Sequence, residues 1–211
     1  MIYMIESHQF GEFTRELADM HRLRYRVFKE RLNWDVTVSG DMEIDEYDAL
    51  KPIYLLHCTT QGDVHGCVRL LPTIGPNMLR DSFPALLGGT PAPADPRIWE
   101  SSRFSLDIDA MAEKTPTGLS QSTFEIVAGM LEFGIERDLT SIVTVTDVRI
   151  ERILRRLGVP WRRIHTPQRI GNSLAVAGFA TISAQVLNHV RAAGGLHSAV
   201  LSAPLGLRES A

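Results

Sequence analysis

The order of apolar and polar residues divides the chain into alternating strands and helices. "MIYMI" at the start reads as a strand. From Phe13 to Arg31, the apolar Phe13, Leu17, Met20, Val27 and Phe28 recur on one side of a 3.6-residue repeat, with Arg15, Asp19, Arg22, Arg26 and Lys29 opposite, which predicts an amphipathic helix. "NWDVTVSGDMEIDEYDALKP" is dense in turn formers and acids and reads as a loop. After it, "PIYLLHCTT" and "VHGCVRLLPT" flank the turn-like "QGD" and predict an antiparallel hairpin. Residues 74–97 hold many of the prolines and glycines and are expected to wander over the surface, mobile or as a lid, before a strand at 98–107.

The second half alternates more regularly. Ser122 and Glu125 fit a capping box for a helix to about Arg137, with Phe124, Val127, Leu131 and Ile135 inward. "SIVTVT" is a strand, and Asp147 is placed to cap a helix through Leu157 that Gly158 and Pro160 stop. "WRRIHT" and "NSLAVAGFA" read as strands, and Ile182, Val186, Leu187 and Val190 as the inward face of a last helix ended by Gly194 and Gly195. Strands separated by helices predict an α/β layered domain with a mixed sheet.

Bulk properties narrow the function classes. With 211 residues, 44 % hydrophobic and 22 % charged, the chain has material for one well-covered core, so a single domain over 1–211 is expected. A net charge of −3 gives no bulk reason to bind nucleic acid or an anionic membrane. Cys58 and Cys67 are too few for a disulfide framework, and neither they nor the seven scattered histidines show metal-ligand spacing, so no metal site is expected. The start lacks a basic n-region and a long apolar h-region, and no run of ~18 apolar residues occurs, so a soluble cytoplasmic protein is expected.

Several polar residues do not suit a plain core. Arg24 falls near the centre of the first helix's apolar stripe, where a guanidinium needs acceptors or a polar cleft unless it snorkels outward. Arg69 interrupts an otherwise apolar strand, on the Cys67 and Leu71 face. The run Asp41, Glu43, Asp45, Glu46, Asp48 is a solvated surface if taken alone, and a partner set for those arginines if its position counts. In "WESSRF", alternation sends Glu100, Ser102 and Phe104 to one face and Trp99, Ser101 and Arg103 to the other, so Glu100 and Arg103 share a cleft only across a bulge; otherwise this is a polar edge strand. Trp34 and Phe83 are loop aromatics that either anchor loops or touch a ligand.

Taken together and in this order, "RYRVF…LNWD", "DEYD", "GCVRLLPT" and "WESSRF" resemble the acyl-homoserine lactone synthases, the LuxI-type makers of bacterial quorum-sensing autoinducers. The motifs cover the first half; the second half matches in its pattern of elements. At matching positions the family's characteristic residues fall on Arg24, Phe28, Trp34, Asp45, Asp48, Arg69, Phe83, Glu100, Ser102 and Arg103. The resemblance implies a three-layer α/β/α sandwich like that of the GNAT acetyltransferases, although the usual acetyltransferase pyrophosphate turn is not evident. It implies acyl transfer from an acyl-carrier protein or acyl-CoA thioester to S-adenosylmethionine, followed by lactonisation that releases methylthioadenosine. S-adenosylmethionine is then a substrate, and no separate cofactor is expected.

The resemblance also implies roles. Glu100, Ser102 and Arg103 are the expected catalytic group, with Glu100 as general base through water and backbone donors from a bulge after Glu100 for the tetrahedral intermediate. Arg24, Asp45, Asp48, Arg69 and Arg103 form a charge network for the amino-acid part, and Phe28 and Trp34 enclose the adenosyl group. The acyl chain runs between the sheet and the Thr123 to Arg137 helix, near Phe83 and with Thr144 at its third carbon; Thr144 as a plain β-branched strand residue is the competing account. Arg149, Arg152, Arg155 and Arg156, with Arg162 and Arg163, are either a solvated helix face or the docking surface for an acidic carrier or for coenzyme A phosphates. Another GNAT-like N-acyltransferase and a non-catalytic sensor are the rival classes, and the basic run lacks the interleaved aromatics of a nucleic-acid module apart from Trp161.

Overall fold

Residues 53–58 and 64–72 are buried on both of their alternating faces and, Arg69 and two histidines apart, largely apolar, which places them at the centre of the molecule. The computed structural model describes residues 1–107, 119–171 and 173–202. Its strands are β1 (Ile2–Ile5), β2 (Val38–Ser39), β3 (Met42–Glu43), β4 (Ile53–Cys58), β5 (Val64–Pro72), β6 (Ile98–Leu106), β7 (Ser141–Asp147), β8 (Trp161–Arg163), β9 (Gln168–Ile170), β10 (Ser173–Thr181) and β11 (Leu201–Ser202). Its helices are α1 (Thr14–Arg24), α2 (Met78–Asp81), α3 (Gln121–Glu136), α4 (Val148–Arg156) and α5 (Ala184–Gly194). One mixed sheet runs β11-β1-β4-β5-β6-β7-β10-β8, with β9 also beside β10 and β2–β3 a separate hairpin.

Alternation along the central hairpin builds the three layers. Leu55, Val68 and Leu70 pack with Phe124, Val127 and Leu131 of α3 and Val186 and Val190 of α5. Tyr54, Leu56, Cys58 and Cys67 point the other way, to Met20 and Leu23 of α1 and on to Val27 and Phe28. The expected α/β/α arrangement is thus present. No helix among the described residues is long and apolar enough to cross a membrane.

Four local expectations need correction. The first helix is α-helical only to Arg24 and continues as a π-helix over Tyr25–Arg31, whose wider turn carries Phe28. The cap of α3 is Ser120, which accepts the Thr123 N–H; Glu125 is instead drawn to His57 at 2.7 Å, so Ser122 and Glu125 form no capping box. Ile135 is 37 % exposed, because Phe133 is buried in the core and Gly134 lies against Ile182 in that last turn. Residues 74–97 are anchored rather than wandering: Leu79, Leu86 and Leu87 are buried, and Arg80 donates to the carbonyls of Thr73, Gly75 and Pro93.

Two features of β6 open the site. It runs parallel to β7 only from Ile98 (opposite Ser141) to Ser101 (opposite Thr144). Beyond that point Ser102 to Leu106 stay with β5 and Val145 to Asp147 stay with β10, so the two strands part and leave a cleft. A bulge puts Arg103 and Phe104 opposite Val68, since Arg69 pairs with Ser102 and Cys67 with Ser105; Arg103 takes the left-handed conformation there, with φ 55°. The expected bulge therefore exists, at Arg103 rather than directly after Glu100.

Candidate active site

A cavity of about 840 Å³ occupies the cleft between the parted strands. One wall carries Phe28, Trp34, Asp45, Glu100, Ser102 and Arg103, with Phe83 nearby; the rest is largely apolar, with Val127, Met130, Ile150, Ile153 and Leu154 from α3 and α4, and Thr144 from β7. Phe28, on the π-helical turn, stacks on Trp34 with centroids 5.2 Å apart, and the Arg103 guanidinium lies 5.3 Å from the Phe28 ring. Trp34 Nε1 donates to Ser173 Oγ at 3.3 Å, joining the loop after the first helix to β10 across the cavity.

Behind the polar wall stands a buried ionic lattice. Arg24 is fully buried and holds both oxygens of Asp48 at 2.9 Å, as well as Glu43. Arg69, also fully buried, donates to Asp45 and to Asp48, and its Nε to Ser102 Oγ at 3.1 Å. Arg103 reaches Glu43 and Asp45, each at 2.8 Å. The acidic turn is pre-shaped for this: Asp45 accepts the Tyr47 N–H and Asp48 accepts the Asp45 N–H, fixing both carboxylates at the start of one short turn.

Burying ions unpaired is prohibitive, and these are paired on several sides, which is the condition under which buried charge is tolerated. Burial alone would raise the Asp48 carboxyl, but the hydrogen bonds and charge of Arg24 and the charge of Arg69 hold it well below the usual carboxylate range. Arg24 stays charged because Asp48 and Glu43 outweigh its burial. Cys67, beside this lattice, is pushed up to about 12 by burial and is an inert thiol.

Glu100 has a different environment. It is 1 % exposed, and its two oxygens accept the backbone N–H groups of Met78 (2.9 Å) and Leu79 (2.6 Å), which ties the anchored connection to β6. Burial raises its carboxyl above the ordinary value despite those two bonds. A carboxylate has about four acceptor positions, so two are not taken by these bonds, and Glu100 is among the residues that line the cavity.

The structure thus brings Phe28, Trp34, Asp45, Phe83, Glu100, Ser102, Arg103 and Thr144 to one cavity, and sets Arg24, Asp48 and Arg69 one layer behind it. Glu43, passed over as one acid in a run, is fully buried and joins Arg24 to Arg103. A faint signal was there: Met42 and Glu43 alternate like strand residues just after the turn at Gly40. On α4, Ile150, Ile153 and Leu154 face the cavity while Arg149, Arg152, Arg155 and Arg156 are exposed. That basic face is weaker than its sequence suggests, because Glu151, 2 % exposed, binds both Arg155 (3.0 Å) and Arg163 (2.6 Å).

Comparisons agree with this geometry. Residues 10–190 match the family model for autoinducer synthases. The acyl-homoserine-lactone synthase of Agrobacterium fabrum is 43 % identical over 177 residues, 84 % of either chain, and that of Pseudomonas aeruginosa 43 % identical over 79 % of this chain and 83 % of its own. The crystal structure of the synthase LasI superposes with a TM-score of 0.80 at 37 % identity, covering 91 % of this chain and 94 % of that one. The sandwich is the GNAT-like fold of these enzymes, and the chain belongs to the autoinducer synthase family, the acyltransferases that make acyl-homoserine lactones.

Proposed function

We propose that this chain, acting as one domain, transfers an acyl group from a thioester to the α-amine of S-adenosylmethionine and then closes the lactone. The observation that carries the reading is charge. Three arginines (Arg24, Arg69, Arg103) pair with three carboxylates (Glu43, Asp45, Asp48) at one end of the cavity, and Glu100, held by backbone N–H groups, adds a fourth carboxylate that makes this cluster negative when ionised. S-adenosylmethionine carries a sulfonium, an ammonium and a carboxylate, one net positive charge. Phe28 and Trp34 offer an aromatic wall for the adenine and the sulfonium.

In the first step the amine nitrogen bonds to the thioester carbonyl carbon and the carbon–sulfur bond breaks, releasing the thiol. A free α-amine, with pKa ~7.7 to 8.0, is partly protonated near neutrality, so a proton must leave. Glu100 takes it, directly or through a water, its raised carboxyl being closer to the working pH than an ordinary glutamate. The Ser102 hydroxyl, already accepting from Arg69, has its own proton to offer the tetrahedral oxygen. In the second step the carboxylate displaces methylthioadenosine from the carbon bearing the sulfonium. That leaving group is neutral and needs no acid, so alignment of the carboxylate supplies most of the acceleration.

The acyl chain lies along Val127, Met130, Ile153 and Leu154. Thr144 Oγ1 donates its proton to the Ser101 carbonyl at 2.8 Å, so the hydroxyl is left as an acceptor toward the cavity. A 3-hydroxyacyl chain can donate to it and a 3-oxo chain cannot. Thr144→Val is expected to lower the rate with 3-hydroxyacyl donors by on the order of tenfold relative to unsubstituted ones; an unchanged acyl preference in the products dismisses this role.

The exposed Arg149, Arg152 and Arg156 adjoin the cavity-facing side of α4, which suits docking of an acidic acyl-carrier protein. Both substrates arise in cytoplasmic metabolism, and the reading places the enzyme there. The test is mass spectrometry of products from S-adenosylmethionine and acyl thioesters on carrier protein or coenzyme A. One methylthioadenosine per lactone, with a carrier-dependent rate that falls as salt rises, supports the reading. Tight S-adenosylmethionine binding with no methylthioadenosine formed would mean a sensor instead.

A further inference from the structure

Met78 touches three of the groups assigned above while belonging to none of the motifs. Its backbone N–H donates to Glu100 Oε2 at 2.9 Å. Its thioether sulfur accepts from Arg69 Nη2 at 3.2 Å and from Arg103 Nη1 at 3.5 Å. The residue is 6 % exposed, packs with Tyr47 and Leu71, and lines the cavity.

The two arginines differ in what else they hold. Arg69 gives four of its five N–H groups to Asp45, Asp48 and Ser102 and the fifth to the Met78 sulfur, so all five are taken. Arg103 spends Nε and Nη2 on Glu43 and Asp45, and among the described residues Nη1 meets the sulfur. A thioether is an uncharged, weak acceptor. It fixes the direction of Nη1 without cancelling the guanidinium charge, and the second Nη1 proton is left for a stronger, charge-assisted bond to a carboxylate.

We propose that Met78 is a positioning residue: its sulfur holds one N–H of Arg103 Nη1 and thereby turns the second toward the cavity, where it meets the carboxylate of the amino-acid substrate. The proposal rests on the reading that this cavity binds S-adenosylmethionine. Alignment of that carboxylate controls lactonisation, so the residue that aims its partner affects a step it does not itself perform.

The test compares Met78→Leu, which keeps bulk but removes the acceptor, with Met78→Gln, which returns a neutral acceptor at similar reach. Neither change removes the backbone N–H that holds Glu100. Titration calorimetry with S-adenosylmethionine and with methylthioadenosine, which lacks the carboxylate, separates positioning from packing. Met78→Leu is expected to weaken S-adenosylmethionine binding about five- to tenfold, the range of one neutral hydrogen bond, to leave methylthioadenosine affinity unchanged, and to lower Tm because the buried Arg69 Nη2 also loses its acceptor. Met78→Gln is expected to recover S-adenosylmethionine affinity to within about threefold of the wild type. Equal weakening of both ligands in Met78→Leu, or no weakening of either, overturns the proposal. If the wild type binds S-adenosylmethionine no better than unrelated nucleosides, the parent reading fails first, before any variant is compared.

Discussion

Arg24→Met is expected to cost about 3–5 kcal/mol of folding stability, the range for removing one member of a buried ion pair. The methionine fills much of the space, but Asp48 loses two hydrogen bonds of 2.9 Å and the fully buried Glu43 loses one of its two arginines. A snorkelling surface arginine would lose at most about 1 kcal/mol, so the magnitude itself separates the two accounts given for this residue. The effect also has a pH signature. The Asp48 carboxyl is held below its unfolded value, so its contribution is present above the ordinary aspartate pKa, about 3.9, and is lost as pH falls below it toward the depressed folded value. Wild-type stability is therefore expected to decline in acid, and Arg24→Met to show a shallower decline from a lower plateau because Asp48 then has less to lose. Denaturant melts across a pH series measure both quantities, and a plateau equal to the wild type's would show that the lattice contributes nothing net.

Glu100→Gln is expected to lower kcat by about 10²- to 10⁴-fold, the usual contribution of a general base. The swap is close to isosteric, but it also turns one acceptor into a donor facing the Met78 or Leu79 N–H, so a loss of activity by itself is ambiguous. The pH profile resolves it. Glu100 is raised by burial, and a base works only when deprotonated, so the acid limb of wild-type kcat/KM should lie above the pH expected for a free glutamate, about 4.3. In Glu100→Gln that limb should vanish and leave the separate limb set by the substrate amine, with pKa ~7.7 to 8.0. A variant that is slower at every pH yet keeps the same acid limb would reduce Glu100 to an anchor for the 74–97 connection.

Residues whose role follows from a period were legible early. Arg24 in phase with Phe28, Arg69 in phase with Cys67, and Asp147 just ahead of an apolar repeat each declare themselves through 3.6- or 2-residue spacing, and Arg24, Arg69 and Asp147 are found buried, buried and capping. Glu43 and Met78 sit where the chain has no long period: Glu43 had only the short strand-like pair after Gly40 to mark it, and Met78 had no such mark. Ser120 and Ser122 are equally good caps by type; the choice went to Ser120, and Glu125 went to His57, 68 residues away.

Local spacing and chemical type thus determined the layers, the central hairpin, the presence of buried charge and, through the ordered motifs, the family. Folding in three dimensions decided which carboxylate meets which arginine, where the bulge turns Arg103, and that β6 and β7 part after Ser101 to leave a cavity. The physical reason is range. Propensity and amphipathic phase act within a few residues, whereas ion pairing and strand divergence join segments such as Glu43 and Arg103, 60 positions apart, and depend on geometry that only the assembled sheet supplies.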